Sequence, residues 1–262
     1  TAQKAELLSK RRLELSSNEV RQAFARYLAL PNSLADLRYR ILRPRGGRGY
    51  PLPHATTYVI ETEPDAQCLV YRLSEVRHYS RPKSEKADAV LYVSHHSADL
   101  ELRQDEWVRK QIPAGKGKTA FYACDVRGAG ESRPDTCGEN SFLQPYGSDY
   151  FYAIHGIMLN RPYVGQKTLD VLQVLRWLEA AGHSRIQIVA QGWGSLPAAF
   201  AAMYSNVVTS IRLKGALESF HSIATSQEYQ WPLSSFVPSI LNEVDLTDCY
   251  TLLKAEKDLE LV

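Results

Sequence analysis

The sequence predicts an α/β protein with a mostly parallel sheet that carries helices on both faces. Three observations support this class. Two alternating segments, at residues 56–61 and 67–73, predict neighbouring strands joined by a short turn. From residue 89 onward, buried apolar runs alternate with amphipathic helical patterns, as in successive strand–helix units. Residues 186–195 join a buried strand to a helix through a tight glycine-containing turn.

Residues 1–33 predict a helical preface or linker, and residues 34–262 predict the main domain. The pattern S-S-N-E at residues 16–19 is a capping box, which opens the second of two helices. The first helix is expected to bury an apolar stripe made of Leu7, Leu8 and Leu13.

The predicted elements of the main domain follow one another in regular order. Strands are predicted at residues 89–93, 119–124, 186–190 and 211–217, and helices at 149–158, 165–181 and 194–203. Residues 259–262 predict the opening of a further strand. We therefore expect the domain to be incomplete at its C-terminus, with its last strands beyond Val262.

Composition is typical of a globular protein with a sizeable core, because 44% of the residues are hydrophobic and 23% are charged. A net charge of +2 argues against nucleic-acid binding, which needs a concentrated basic face. No window approaches the roughly 18 uninterrupted apolar residues of a membrane span, so no membrane contact is predicted. The four cysteines show neither C-x-x-C spacing nor paired histidines, so no metal or other cofactor is expected.

The segment at residues 186–195 is built like a nucleophile elbow without its nucleophile. In a G-x-S-x-G elbow the central residue lies on a strained strand-to-helix turn, flanked two positions away by small residues. Here Ala190 and Gly194 flank Gly192, which has no side chain. Two alternatives stay open for this segment alone. One is a dinucleotide-binding turn, with Pro197 in place of the third glycine, and the other is a purely structural strand–turn–helix unit.

Three further motifs accompany the turn at Gly192. S-H-H at residues 94–96 follows one strand, D-V-R-G-A-G-E-S at 125–132 follows the next, and R-P-Y-V-G-Q at 161–166 leads into a long helix. These motifs and the turn occur in the order of an α/β-hydrolase.

More narrowly, the same R-P-Y-V-G-Q stretch, W-P-L at residues 231–233 and F-V-P at 236–238 carry a closer likeness. The chain resembles the acetyl xylan esterase-like branch of that superfamily, the bacterial carbohydrate esterases, over residues 34–262. The resemblance implies an α/β-hydrolase fold, a carbohydrate ester ligand and a secreted or periplasmic location.

Ester hydrolysis through an acyl-enzyme requires a nucleophile, a base, an orienting acid and an oxyanion hole. The resemblance puts the nucleophile at Gly192, so this slot is vacated. Ser195, in the first turn of the next helix, is expected to cap that helix or face the sheet. Glu218 is the candidate acid, because some carbohydrate esterases resemble this chain in placing theirs there. The histidine belongs later in the chain, and none follows His221, which is expected to lie on the surface.

The oxyanion hole implied by the resemblance combines a donor from the loop after residues 89–93 with the backbone amide of Trp193. His95 and His96 are expected to line the pocket above these donors, and Gln191 is expected to form its floor. The alternative for both histidines is a structural role, with the ring hydrogen-bonded to a neighbouring loop.

Two expectations concern the backbone and the loops around this site. Gly192 should have a positive φ, and restoring serine there should cost only the strain of that conformation, on the order of 1–3 kcal/mol. Asp125 and Arg127 are expected to brace the loops as an ion pair.

Three hypotheses for function stay open at the level of the sequence. The first is an α/β-hydrolase-fold domain with a degenerate elbow, impaired in catalysis, beside a second, intact hydrolase domain or chain. The second is a non-catalytic interaction or carbohydrate-binding module, a pseudoenzyme that uses the old pocket and the leading helices. The third is an active esterase with an unorthodox nucleophile, either Ser195 or a residue supplied from outside.

Overall fold

A computed structural model describes residues 1–42, 45–80, 87–113, 119–134 and 148–262. The strands of the described part are β1 (Arg38–Ile41), β2 (Arg45–Gly46), β3 (His54–Glu63), β4 (Ala66–Ser74), β5 (Asp88–Val93), β6 (Thr119–Asp125), β7 (Ile186–Gln191), β8 (Val208–Lys214) and β9 (Asp258–Leu261). Its α-helices are α1 (Ala2–Arg11), α2 (Ser17–Tyr27), α3 (Ala98–Gln104), α4 (Glu106–Lys110), α5 (Ser148–Met158), α6 (Tyr163–Ala180), α7 (Ser195–Tyr204), α8 (Phe220–Thr225) and α9 (Leu246–Glu256).

All described strands belong to one sheet, in the order β1-β3-β4-β6-β5-β7-β8-β9, with β2 paired to β3. β6, β5, β7, β8 and β9 are parallel neighbours, whereas β4 runs antiparallel to both β3 and β6. β3 therefore shares the direction of the parallel set, and the sheet is mostly parallel, as the sequence predicts. β5 and β7 lie at its centre, and their nearly continuous apolar runs are buried, as expected for strands covered on both faces.

Helices cover both faces of the sheet, which confirms the predicted class. On one face, α2, α6, α7 and α9 pack on a large cluster that includes Phe24, Trp177 and Phe200. On the other face, α3 and α4 pack on a smaller cluster around Tyr92 and Phe121. The turn at the end of β7 thus lies between two packed layers.

The helical preface is present, and its second helix is part of the core. The Ser16 hydroxyl caps α2 by accepting the Glu19 amide, and the Glu19 carboxylate accepts the Ser16 amide at 2.8 Å. Phe24 and Leu28 are fully buried in the same cluster as the sheet. A Cβ on Gly165 would lie 2.0 Å from the Leu28 carbonyl oxygen, so α2 and α6 meet at a position where only glycine fits.

The stripe predicted for the first helix is wrong. α1 ends at Arg11, so Leu13 lies beyond it and is 82% exposed, and Leu7 is 55% exposed. Ala5 is the residue of α1 that is buried. The spacing of the leucines is helical, but α1 ends before Leu13. The three leucines therefore do not form one buried face.

The strand after α7 lies earlier in the chain than predicted. β8 ends at Lys214, and Gly215 follows with a φ of +58°, a left-handed conformation that stops the extended chain. Glu218 therefore lies in the connection to α8 and not at the end of a strand. β9 forms where the sequence predicts a strand, beside β8 at the edge of the described sheet. The continuation into further strands stays a prediction.

Candidate active site at the turn after β7

The turn after β7 has the backbone of a nucleophile elbow. Gln191 ends the strand, and a single 3-10 turn over Gly192–Gly194 leads directly into α7. Gly192 has a φ of +51°, the left-handed value that glycine adopts readily. Ser195 is fully buried, and its hydroxyl donates to the Gly192 carbonyl at 2.6 Å. The hydroxyl therefore donates back into the turn, and no described side chain caps α7, so the capping role expected for Ser195 is wrong.

Gly194 allows the turn to approach the central strand β5. A Cβ at this position would lie 2.4 Å from the Ser94 carbonyl oxygen and 2.7 Å from that of Val93. Any larger side chain would push α7 away from β5. The close approach brings the turn against the loop that carries His95 and His96.

The space above Gly192 is filled by the imidazole of His95. A Cβ built on Gly192 would lie 2.6 Å from His95 Nδ1 and 2.7 Å from its Cε1. The expectation that only backbone strain opposes a serine at this position is therefore wrong, because the first side-chain atom already collides with a ring.

The His95 ring also forms a hydrogen bond with the backbone amide that follows Gly192. The Trp193 amide donates to His95 Nδ1 at 3.1 Å. Because Nδ1 accepts this bond, the proton of the neutral ring lies on Nε2. Burial lowers the pKa of His95 to about 4, with a smaller contribution from His96, so the ring is neutral at physiological pH.

Three aromatic rings form a cluster over the turn. His95 stacks on His96 with ring centroids 3.5 Å apart, and Trp193 meets both rings edge-on, at 5.2 and 4.6 Å. Burial, followed by the nearby positive charge of Lys167, lowers the pKa of His96. His96 Nδ1 is buried without a hydrogen-bond partner among the described residues. The cluster thus places two imidazoles directly over the turn at Gly192.

A buried carboxylate holds the loop that carries the two histidines. Glu101 accepts the backbone amides of His95 at 3.1 Å, His96 at 2.7 Å and Ser97 at 3.2 Å. It also accepts the Tyr92 hydroxyl at 2.6 Å. Burial raises the pKa of Glu101, although these hydrogen bonds oppose that shift. The backbone amides of these three loop residues are therefore all bound by Glu101.

A second buried carboxylate, Asp125, ties the same loop to the end of β6. It accepts the Ser94 hydroxyl and the Ala98 amide, each at 2.7 Å. Burial raises its pKa to about 6. The predicted ion pair with Arg127 is wrong, because the Arg127 guanidinium instead binds Asp170 at 2.5 Å.

The Arg127 ion pair extends to a second carboxylate, that of Glu63 at 2.8 Å. The Arg127 amide also donates to Asp170 at 2.8 Å. Since Asp170 lies in α6 and Glu63 ends β3, this loop braces the helix against the sheet. Asp125 and Arg127 both stabilise loops, as expected, but through separate partners.

The remaining predicted site residues make contacts outside this cluster of rings. The Gln191 side-chain amide donates to Asp105 at 3.0 Å, and Asp105 in turn caps α4. Glu218 is exposed, and no hydrogen bond or ion pair joins it to His95, His96 or Trp193 in the described chain. His221 lies in α8, where its Nε2 is 3.6 Å from a Glu6 carboxylate oxygen.

Glu101 is the residue of this site that sequence reasoning missed. Its signal is an acidic residue in the first turn of a helix that directly follows the S-H-H motif, since carboxylates bind free amides near a helix N-terminus. The described residues contain no cluster of histidine, cysteine and acidic side chains that could hold a metal ion. Nor do they include a helix with the length and apolar character needed to cross a bilayer.

Comparison with solved structures identifies the fold. No protein-family model matches the sequence, and no curated protein matches it. A candidate acetyl xylan esterase from Bacteroides fragilis NCTC 9343 matches 94% of this chain with a TM-score of 0.67 and 13% sequence identity. The protein has the α/β-hydrolase fold. This α/β-hydrolase-fold chain spans 66% of the length of the Bacteroides fragilis protein.

Two further matches are acetyl xylan esterases. The enzyme from Paenibacillus sp. R4 has a TM-score of 0.47 at 14% identity, over 96% of this chain and 78% of its own. Acetyl Xylan Esterase 1 from Thermoanaerobacterium sp. JW/SL YS485 has a TM-score of 0.46 at 12% identity. The match covers 77% of this chain and 63% of that enzyme. The strand order and the first match carry the assignment of fold.

Proposed function

We propose that this chain is a catalytically silent α/β-hydrolase-fold domain of an acetyl xylan esterase-like protein. The observation that carries the proposal is the position of His95, whose ring fills the place of a side chain at Gly192 and accepts the Trp193 amide. One residue thereby removes both the room for a nucleophile and a donor of the oxyanion hole.

The absence of free backbone amides for an oxyanion hole supports the proposal as well as the absence of a nucleophile does. An oxyanion hole needs amides that are free to bind developing negative charge. Here the Trp193 amide is bound by His95, and the amides of His95 and His96 are bound by Glu101. Mutagenesis of one such donor in other hydrolases costs about 100- to 1,000-fold in rate. A substitute nucleophile such as Ser195 would therefore find no prepared site.

Hydrolysis by the whole protein would then come from a second hydrolase domain or chain. The substrate class of that second domain would be the acetyl esters of a carbohydrate, as the names of the similar structures suggest. The present domain would then stabilise or contact its active partner. Glu218, which is exposed and unpaired with the cluster, has no acid role in this domain.

The test is an assay of the 262-residue chain on p-nitrophenyl acetate and on acetylated xylan. We expect no turnover above the buffer rate with either ester. Ser195→Ala is the matched variant, because Ser195 carries the only hydroxyl adjoining the Gly192 carbonyl among the described residues. Turnover by the unmodified chain that disappears in Ser195→Ala would overturn the proposal and favour an esterase with an unorthodox nucleophile.

A second candidate function, an interaction module, is favoured by the surface of α5. Phe151, Met158 and the following Leu159 are 61%, 77% and 73% exposed, and such apolar patches commonly mark protein contacts. In this candidate the partner is a second copy of this chain. In sedimentation velocity, Met158→Glu should weaken self-association, whereas Leu7→Glu on α1 should not. A chain that stays monomeric at all concentrations would exclude this candidate.

A further inference from the structure

A cavity of about 510 Å³ lies between α1 and the chain that connects α8 to α9. None of the described residues of the elbow lines it, so it is separate from the site at Gly192. Its volume falls within the roughly 300–1,000 Å³ of small-molecule sites. The lining side chains are mostly aliphatic or aromatic: Ala5, Leu8, Phe220, Ile223, Ala224, Tyr229, Phe236, Val237, Ile240 and Leu241.

The charge of the lining is one-sided. Among the described residues that line the cavity, none is acidic, and Lys4 supplies the charged side chain. Glu6, the acidic residue nearby on α1, faces His221 at 3.6 Å instead. Ser226, Ser239 and Asn242 add polar groups to the lining. An apolar wall with Lys4 as its charged side chain matches an amphiphile that carries one negative charge.

Two features show that the wall is shaped and not merely loosely packed. Ser239 has a φ of +62°, a conformation that non-glycine residues rarely adopt and that tends to occur at functional sites. Tyr229 and Phe236 meet edge-on, with ring centroids 5.4 Å apart.

We propose that this cavity binds a free single-chain carboxylate of the fatty-acid class. The aliphatic chain lies against Phe220, Ile223 and Ile240, and the carboxylate pairs with Lys4 at the mouth. Because the cavity has its own lining residues, binding is independent of whether the elbow is catalytically silent.

The test compares dodecanoate with dodecan-1-ol by titration calorimetry on the 262-residue chain. We expect dodecanoate to bind about two- to fivefold more tightly, as one solvent-screened ion pair provides. Lys4→Gln should remove this preference, whereas Lys10→Gln on the same helix should keep it. Ala224→Trp should fill the cavity and abolish binding of both ligands, whereas Ala181→Trp, which lies outside the lining, should not.

Thermal unfolding of each variant establishes that it is folded. If Ala224→Trp does not fold, the loss of dodecanoate preference in Lys4→Gln is the test of the proposal. Equal binding of the two ligands by the unmodified chain would overturn the proposal. So would unchanged dodecanoate binding in folded Ala224→Trp. The chain could instead sediment with phosphatidylglycerol vesicles in a Lys4-dependent way and fail to bind dodecanoate. That result would assign the cavity to a membrane lipid and overturn the proposal of a free fatty acid.

Discussion

At the scale of single residues, Gly192 and His95 act as a pair. Glycine at position 192 gives the left-handed turn without strain, and the absent side chain leaves room for the His95 ring. The ring then accepts the Trp193 amide, which would otherwise be left without a partner. A serine at 192 is therefore opposed by backbone strain, by a steric clash and by loss of this hydrogen bond.

The pairing predicts a non-additive effect of two substitutions. Gly192→Ser should lower the free energy of unfolding by more than the roughly 1–3 kcal/mol of backbone strain alone, because the His95 ring must move. In a His95→Ala background the same change should cost only the strain. Urea denaturation of the two single variants and the double variant measures the coupling. Equal costs of Gly192→Ser in both backgrounds would show that the ring leaves the slot freely.

The lowered pKa of His95 predicts a pH dependence of stability. Its folded-state pKa of about 4 lies below the unfolded value of about 6.5, so the unfolded chain binds more protons between these values. The contribution of His95 is therefore fully present above pH 6.5 and is lost as the pH falls toward 4. Allowing for solvent around the half-buried ring, we expect a loss of about 2 kcal/mol.

Asp125 acts in the opposite direction, because its folded-state pKa of about 6 is raised from 3.8. Its contribution is lost as the pH rises through that window. The His95 contribution is therefore measured as a difference in unfolding free energy between the unmodified chain and His95→Gln, from pH 7 to pH 4. The difference should shrink on acidification. A difference independent of pH would contradict a buried neutral ring.

At the scale of elements, the loop between β5 and α3 is held by a carboxylate from the helix that it introduces. Glu101 lies in the first turn of α3, and the amides of His95, His96 and Ser97 converge on it. The histidine cluster is positioned by this loop. Its geometry therefore depends on an acidic residue that does not itself reach the turn at Gly192.

Glu101→Gln should loosen the loop, because the amide side chain keeps one acceptor oxygen but presents a donor to the other amides. We expect a loss of about 1–3 kcal/mol in unfolding free energy, as for a buried group left unsatisfied. Trp193 fluorescence should also change in the folded state. Glu106→Gln on α4, whose side chain is 87% exposed, is the matched control and should change stability by less than about 0.5 kcal/mol.

The elements that the sequence predicted well are those whose pattern is local. β5 and β7 follow from continuous apolar runs, and α6 follows from its helical spacing. β8 was misplaced because Ala216 and Leu217 continue an apolar pattern, although the left-handed Gly215 has already ended the strand. Local hydropathy contains no information on the φ that a particular glycine adopts.

At the scale of the whole molecule, the order of motifs along the chain was enough to predict the fold, since each strand–helix unit adds to the sheet beside an earlier one. The candidate site could be predicted only in part. The vacated slot at Gly192 is visible in the sequence, but its filling by His95 depends on how closely β5 and β7 lie. The same holds for Asp170, which binds Arg127 from a distant helix.

The burial of α2 predicts that residues 1–33 and 34–262 unfold as one cooperative unit. Phe24 and Leu28 share a core with the sheet, and α2 meets α6 at Gly165, where a Cβ would collide with the Leu28 carbonyl oxygen. Far-ultraviolet circular dichroism and tryptophan fluorescence should therefore give coincident urea transitions. Gly165→Ala should shift both transitions together, by roughly 1–3 kcal/mol or more of overpacking.

Gly215→Ala is the control for this substitution. Gly215 has a φ of +58°, but no atom lies within 4 Å of a Cβ added there. It should cost only the strain of its left-handed φ, about 1–2 kcal/mol. Two separate transitions in the unmodified chain, or a Gly165→Ala variant in which only one probe shifts, would mean that the preface folds apart from the sheet. Coincident shifts would mean that the contact between α2 and α6 belongs to the core of the domain.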